Sequence, residues 1–312
     1  MLKIQRIILN WAPVAFLLNK SKHIYLPGFQ GLPLYDVLRF YSRQIKKQSL
    51  TERAAAISYH FIMSLPPSLL FIFTLIPNLP FISRRNIKIQ LHRLIFDIIP
   101  ARTYNQGVIE FIDSFIDNNR IGLLSFGVVL SLFFASNAMM GIMRSFNKDY
   151  AGFTNRKGLH KRGIAIRLSL VLFGLLLAYI VLLVLQGNVL NFLVKSNWIK
   201  TLIQYSRWVF IILLVFFAIG FIFRYAPAVT KRWNFISPGV ILTTFLCLLA
   251  TLGFAFFVNN FARYNALYGS IGTIMMVMAL IFINSLALLI GFELNVSIHA
   301  LKSNRTDKAG NS

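Results

Sequence analysis

The chain has 312 residues, 57% apolar and 13% charged, with a mean hydropathy of +0.67. Soluble domains average about half apolar and a quarter charged, and uncharged runs of about 20 residues recur here, so the composition excludes an ordinary soluble fold and predicts an all-α, polytopic membrane protein. The net charge of +23 belongs to basic residues clustered beside apolar spans, as the positive-inside rule expects, and no RNA-binding or helix-turn-helix pattern points to nucleic acid.

The single cysteine, Cys247, lies in an apolar run, which leaves no disulfide or zinc framework. His23, His60, His92, His160 and His299 show no ligand spacing. No cofactor or metal is expected.

In chain order, residues 1–53 form a basic N-terminal segment. Its apolar run from Ile7 to Leu18 is interrupted by Asn10 and Pro13 and followed by Lys20 and Lys22. No small-residue cleavage site follows, so the run predicts an interfacial or buried amphipathic helix rather than a signal peptide. Arg39, Arg43, Lys46, Lys47 and Arg53 then lead to the first span.

The transmembrane domain covers residues 54–293, with spans at about 54–79, 121–143, 164–186, 208–225, 240–258 and 270–292. Pro66 and Pro67 fall near the middle of the first span, where a kink or break is expected. Backbone groups freed there must find partners within the protein, so the break at Pro66 and Pro67 is read as facing the bundle interior, where Tyr59, His60 and Ser64 can help satisfy it. Either a structural kink or a cavity-lining role fits them.

The connection over residues 81–120 repeats apolar residues at helical spacing: Ile87, Leu91, Leu94 and Ile98, then Val108, Phe111 and Phe115. Two short amphipathic helices broken near Pro100 are expected. Residues 294–312 form a polar tail.

Six spans place both termini on one side. With that side cytoplasmic, 21 Lys and Arg residues fall inside or at its edge and 10 outside, which sets both termini in the cytoplasm. A basic cytoplasmic face suits anionic lipid headgroups as partners. GxxxG-like spacing leaves a homo-oligomer open.

Glu293 ends the last span, where a carboxylate opposes the helix dipole and a membrane position costs up to about 3 kcal/mol. A compensating arginine is expected, with Arg53, Arg167 and Arg224 as the leading partners; a solvated interfacial carboxylate is the alternative. Asn284 in span six and Asn137 in span two are read as interhelical hydrogen-bonding groups or as steps of a substrate pathway. Tyr268 belongs to an outer aromatic belt, and Gly269 and Gly272 to a close-packed start of the last helix. No Gly-x-Ser-x-Gly elbow, His-Glu-x-x-His motif or phosphate loop appears, so no catalytic residue is assigned.

Several blocks together resemble the YihY/BrkB family of bacterial inner-membrane proteins. They are Ala54-Ala55-Ala56 with Tyr59, Ser64 and Pro67; Phe134-Ala135-Ser136 with Phe146-Asn147; Tyr225-x-Pro227 with Trp233 and Pro238-Gly239; and Tyr264-Asn-x-x-Tyr268-Gly-Ser-Ile-Gly272 with Gly291-x-Glu293-Leu-Asn295. Phe292 stands where the family more often has a small residue. The resemblance implies a six-helix protein of the cytoplasmic membrane, linked in some members to virulence, serum resistance or the movement of lipids or envelope components. It also implies that the ribonuclease label once given to some members is mistaken. Transport of a lipid or envelope component and a non-transporting scaffold for envelope integrity are the two functional expectations.

Overall fold

The computed structural model describes residues 20–47, 49–75, 121–147, 153–154, 158–193, 197–230, 232–260 and 263–310, with single positions at 89, 92, 109, 110 and 113. Its main elements are α1 (Leu34–Lys47), α2 (Leu50–Leu75), α3 (Ile121–Ser145), α4 (Gly158–Leu193), α5 (Asn197–Tyr225), α6 (Pro238–Asn260) and α7 (Arg263–Gly310). The described residues contain no strand beyond an isolated bridge between Phe153 and Val229.

Four of the described helices carry stretches long and apolar enough to cross a membrane: Phe126–Ser145, Gly158–Tyr179, Pro238–Val258 and Ile274–Ser303. The other two expected spans correspond to α2 and α5. The first half of α2 carries Glu52, Arg53, Ser58, Tyr59, His60 and Ser64, which dilutes its apolar character. The described apolar stretch of α5, Val209–Tyr225, is shorter than the ~20 residues that a crossing needs. At about 1.5 Å per residue, the 48-residue α7 is roughly 70 Å long, over twice the ~30 Å hydrocarbon thickness. Its helix therefore runs on through the polar sequence after Glu293.

The apolar surface faces outward. Along α6, Ile241, Phe245, Leu249, Leu252 and Phe256 are exposed, whereas Val240, Thr243 and Thr244 are buried. A stripe of this kind would aggregate in water and belongs against lipid. Four buried hydroxyls are satisfied within their own helices: Ser58 donates to the Ala54 carbonyl, Ser169 to Ala165, Thr244 to Val240 and Ser285 to Ile281, whereas buried Thr243 Oγ1 has no partner among the described residues.

Of the kink or break expected at Pro66 and Pro67, the break is absent, since α2 stays helical through both prolines. Their missing N–H groups free the Ile62 and Met63 carbonyls one turn back, and Ser64 donates to the neighbouring Phe61 carbonyl at 2.7 Å. The amphipathic helices expected at Ile7–Leu18 and around Pro100 lie outside the described residues.

Two compact units divide the chain. The first comprises residues 1–58, 142–161 and 209–312. In it α1 packs on α7, and Phe29, Leu32, Val37, Leu294 and Ile298 form a buried cluster. Pro33 before α1 and Asp36 in its first turn are ordinary start signals. The second unit comprises residues 59–141 and 162–208. There Arg162 donates to Asn137 Oδ1 at 2.5 Å, and its guanidinium lies 4.9 Å from the centre of the Phe133 ring.

Candidate functional site

The described structure concentrates buried charge around Glu293, in the first unit. Its side chain is fully buried, and Arg53 Nη1 donates to Glu293 Oε1 at 2.7 Å. Arg53 Nη2 donates to the Ser145 carbonyl, at the end of α3, where carbonyls lack helical partners. One guanidinium thereby joins the first turn of α2, the last turn of α3 and the middle of α7. A cation at the α3 terminus also complements the helix dipole, which offsets part of the cost of burying the pair.

An aromatic cluster is built on the residues next in sequence to the pair's partners, Phe292 before Glu293 and Phe146 after Ser145. Phe292 is fully buried and stacks on Phe146 at 3.9 Å and 2°. Phe223 meets Phe292 edge-on at 6.2 Å, and Trp233 tilts against it at 5.5 Å. The large residue at 292 is thus a packing partner for Phe146.

Tyr41 of α1 donates to the Ile290 carbonyl at 3.3 Å. Burial, with a contribution from the Glu293 charge, pushes its hydroxyl up to about 12. Because the folded protein then binds this proton more tightly than the unfolded chain, the Tyr41 contribution is present below pH 10 and is lost between about 10 and 12. Tyr41→Phe is expected to flatten the stability decline over that window, read as unfolding midpoints from pH 9 to 12.

Close to Glu293, α6 crosses α7 at a pair of glycines. A Cβ on Gly239 would lie 2.6 Å from the Asn295 side chain, and one on Gly291 would overlap Thr243 Oγ1 and come within 2.5 Å of the Gly239 carbonyl oxygen. The helix backbones can touch because both side chains are missing. Asn295 seals the junction: its Oδ1 accepts from Gly239 N–H at 2.9 Å, and its Nδ2 donates to Ser237 Oγ at 2.8 Å. Ser237 and Pro238 occupy the N-cap and first positions of α6. Asn295→Ala is expected to cost about 1–3 kcal/mol by orphaning a buried N–H, visible as a lower unfolding midpoint in detergent; Asn295→Asp should retain part of the cap.

Of the arginines proposed for Glu293, Arg53 is the one that meets it. Arg167 is exposed in the second unit. Arg224 lies 5.8 Å from the Tyr225 ring centre, and its buried Nε has no hydrogen-bond partner among the described residues. Tyr59 is 58% exposed, while Ser64 is buried and so is Pro67. Asn284 Nδ2 donates to the Leu280 carbonyl of its own helix at 3.0 Å, and Asn137 is the acceptor for Arg162. Gly272 is buried in α7. Tyr268 and Gly269 also fall within α7, but their side chains lie outside the described set.

Sequence reasoning missed α1, Tyr41 and the Arg162 interaction. Leu34, Val37, Tyr41 and Ile45 at helical spacing could have signalled α1. Nothing local identifies the Ser145 carbonyl or Arg162 as a partner. Among the described residues, no group of three or more His, Cys, Asp or Glu side chains could hold a metal.

Exposed apolar stripes, membrane-length helices and a buried ion pair define a helical membrane protein. The chain matches the family described as Virulence factor BrkB over residues 41–312, and it belongs to that family. It is 30% identical over 258 residues to the putative ribonuclease-like protein YfkH of Bacillus subtilis, covering 80% of this chain and 90% of that one. A UPF0761 membrane protein of Pseudoalteromonas atlantica is 25% identical, covering 82% of this chain and 84% of its own. Another, from Kangiella koreensis, is 24% identical over 84% of this chain and 63% of its own. No solved structure matches.

Proposed function

We propose that this protein is a transporter of the bacterial cytoplasmic membrane that moves a lipid or another envelope component between leaflets. In this reading it has six spans and cytoplasmic termini, and its substrate has an anionic headgroup. The observation that carries the reading is the fully buried Glu293 held by Arg53. An ionisable pair at membrane depth is expensive, and such pairs commonly mark transport pathways. The excess of basic residues suits attraction of anionic headgroups.

A scaffold without transport is the second reading. It is favoured by Asn284 and Ser285, whose hydroxyl and amide donors are used on carbonyls of their own helix. A catalytic role, as the ribonuclease-like name of one relative would suggest, has no constellation of residues to support it among those described.

Reconstitution separates these readings. Purified protein in vesicles carrying fluorescent phosphatidylglycerol or phosphatidylethanolamine in both leaflets is expected to increase the fraction bleached by external dithionite above protein-free vesicles. Glu293→Gln should lower that rate more than it lowers reconstituted protein. Rates equal to protein-free vesicles across the lipid panel would favour the scaffold.

A further inference from the structure

A second feature of the first unit is a cleft of about 160 Å³ beside the start of α6. Three segments distant in sequence line it: Gly28 and Gln30; Asn234, Ile236, Ser237 and Pro238; and Asn295, Ile298 and His299 of α7. The first of these is an unusual loop. Gln30 has φ 55°, between Gly28 at 88° and Gly31 at 77°. A non-glycine residue in the left-handed region is strained, and such strain concentrates at functional positions. A Cβ at Gly28 would lie 2.8 Å from Pro238 Cγ, so the loop is pressed onto α6 and presents Gln30 to the cleft.

The lining holds surplus hydrogen-bond donors. Ser237 Oγ accepts from Asn295 Nδ2 at 2.8 Å and from Val240 N–H at 3.4 Å. Both hydroxyl lone pairs are then used. The Ser237 proton has no acceptor among the described residues, although the side chain is only 7% exposed. The Gln30 amide lies 3.3 Å from His299 Nε2, and Trp233 stacks on the His299 ring at 5.2 Å and 10°. Each of Gln30, Asn234 and Asn295 brings two amide hydrogens, more than their hydrogen bonds among the described residues consume. Among the described residues no carboxylate lines the cleft, exposed Arg232 is two residues before Asn234, and the N-terminal end of α6 adds a positive dipole. At the lip, Ile236 is 68% exposed.

We propose that this cleft binds a phosphate group, borne by an anionic lipid headgroup or by a small soluble phosphoester. Ser237, Gln30 and Asn234 donate to its oxygens, and His299 is held in place by Trp233 and Gln30. Ile236 offers an apolar edge for an attached acyl chain. The site goes beyond the translocation reading and does not depend on it, because binding is measured without flux.

The test uses the full chain in maltoside detergent, titrated with monomeric dihexanoylphosphatidylglycerol, glycerol phosphate and inorganic phosphate while tryptophan fluorescence is followed. A saturable change that disappears in Trp233→Phe is expected with the lipid. Asn234→Ala, an exposed position that leaves the fold intact, and Gln30→Ala should each weaken binding at least threefold. Ser237→Ala should weaken it about tenfold, with its unfolding midpoint measured alongside to separate the loss of the cap. Competition by inorganic phosphate identifies the phosphate alone as the recognised group; binding of the lipid without such competition, weakened by Ile236→Ser, identifies a headgroup site with an acyl contact. Absence of a saturable Trp233 signal with every probe, or equal affinity in wild type, Asn234→Ala and Gln30→Ala, overturns the proposal.

Discussion

Arg53→Ala is expected to be more damaging than Glu293→Gln, even though both remove the same ion pair. Glu293 is fully buried and Arg53 is 18% exposed. Losing the arginine strands a fully buried carboxylate and also uncaps the Ser145 carbonyl. A buried charge left without its partner costs about 3–5 kcal/mol. Glu293→Gln leaves a neutral amide, and the arginine retains the Ser145 carbonyl and some access to water, so the loss should be near 1–3 kcal/mol. Arg53→Lys should fall between the two, because one ammonium lacks the planar fork that reaches two acceptors at once. The double variant Arg53→Met, Glu293→Leu should recover much of the stability while abolishing any transport that depends on the charges. Unfolding midpoints and the monodisperse fraction after detergent extraction read all four variants. A milder effect of Arg53→Ala than of Glu293→Gln would contradict the burial asymmetry.

Gly291→Ala is the second substitution with a large expected effect. One added methyl would overlap Thr243 Oγ1 and come within 2.5 Å of the Gly239 carbonyl oxygen. Both obstacles belong to α6, so relief requires the two helices to separate. Overpacking of this kind costs about 1–3 kcal/mol and more when the obstacle is backbone. Separation would also pull Asn295 from the Gly239 N–H and shift Phe292 beside the ion pair. Gly253→Ala on α6 is the control: nothing lies within 4 Å of its Cβ position, and the loss of a flexible helical glycine should stabilise by about 0.4–1 kcal/mol. Equal unfolding midpoints for the two alanine variants would show that α6 and α7 do not meet at their glycines.

Much of the architecture was legible because the bilayer imposes coarse rules on composition. The apolar runs in α3, α4, α6 and α7 read directly as membrane helices, since length and lack of charge are sufficient signals. The need for an arginine near Glu293 was equally legible, because a carboxylate at that depth must be compensated. Prolines 66 and 67 signal a kink or a break, and α2 stays helical through both, because proline removes a hydrogen bond while its fixed φ still suits a helix. Helix α1 was hidden by its charges, as Arg39, Arg43, Lys46 and Lys47 obscured the apolar stripe beneath them.

The amino-acid pattern by itself determined the all-helical membrane class, the family, and the demand for a charge partner at Glu293. These depend on properties summed over a window or carried by one residue. Tertiary structure alone decided which arginine answers that demand, why Phe292 is large, where α6 and α7 touch, and that Gln30, Ser237 and His299 share one cleft. Arg53 and Glu293 are 240 positions apart, and Gln30 and His299 are 269 apart. Pairings at such separations follow from how the helices pack, which no local pattern of residues encodes.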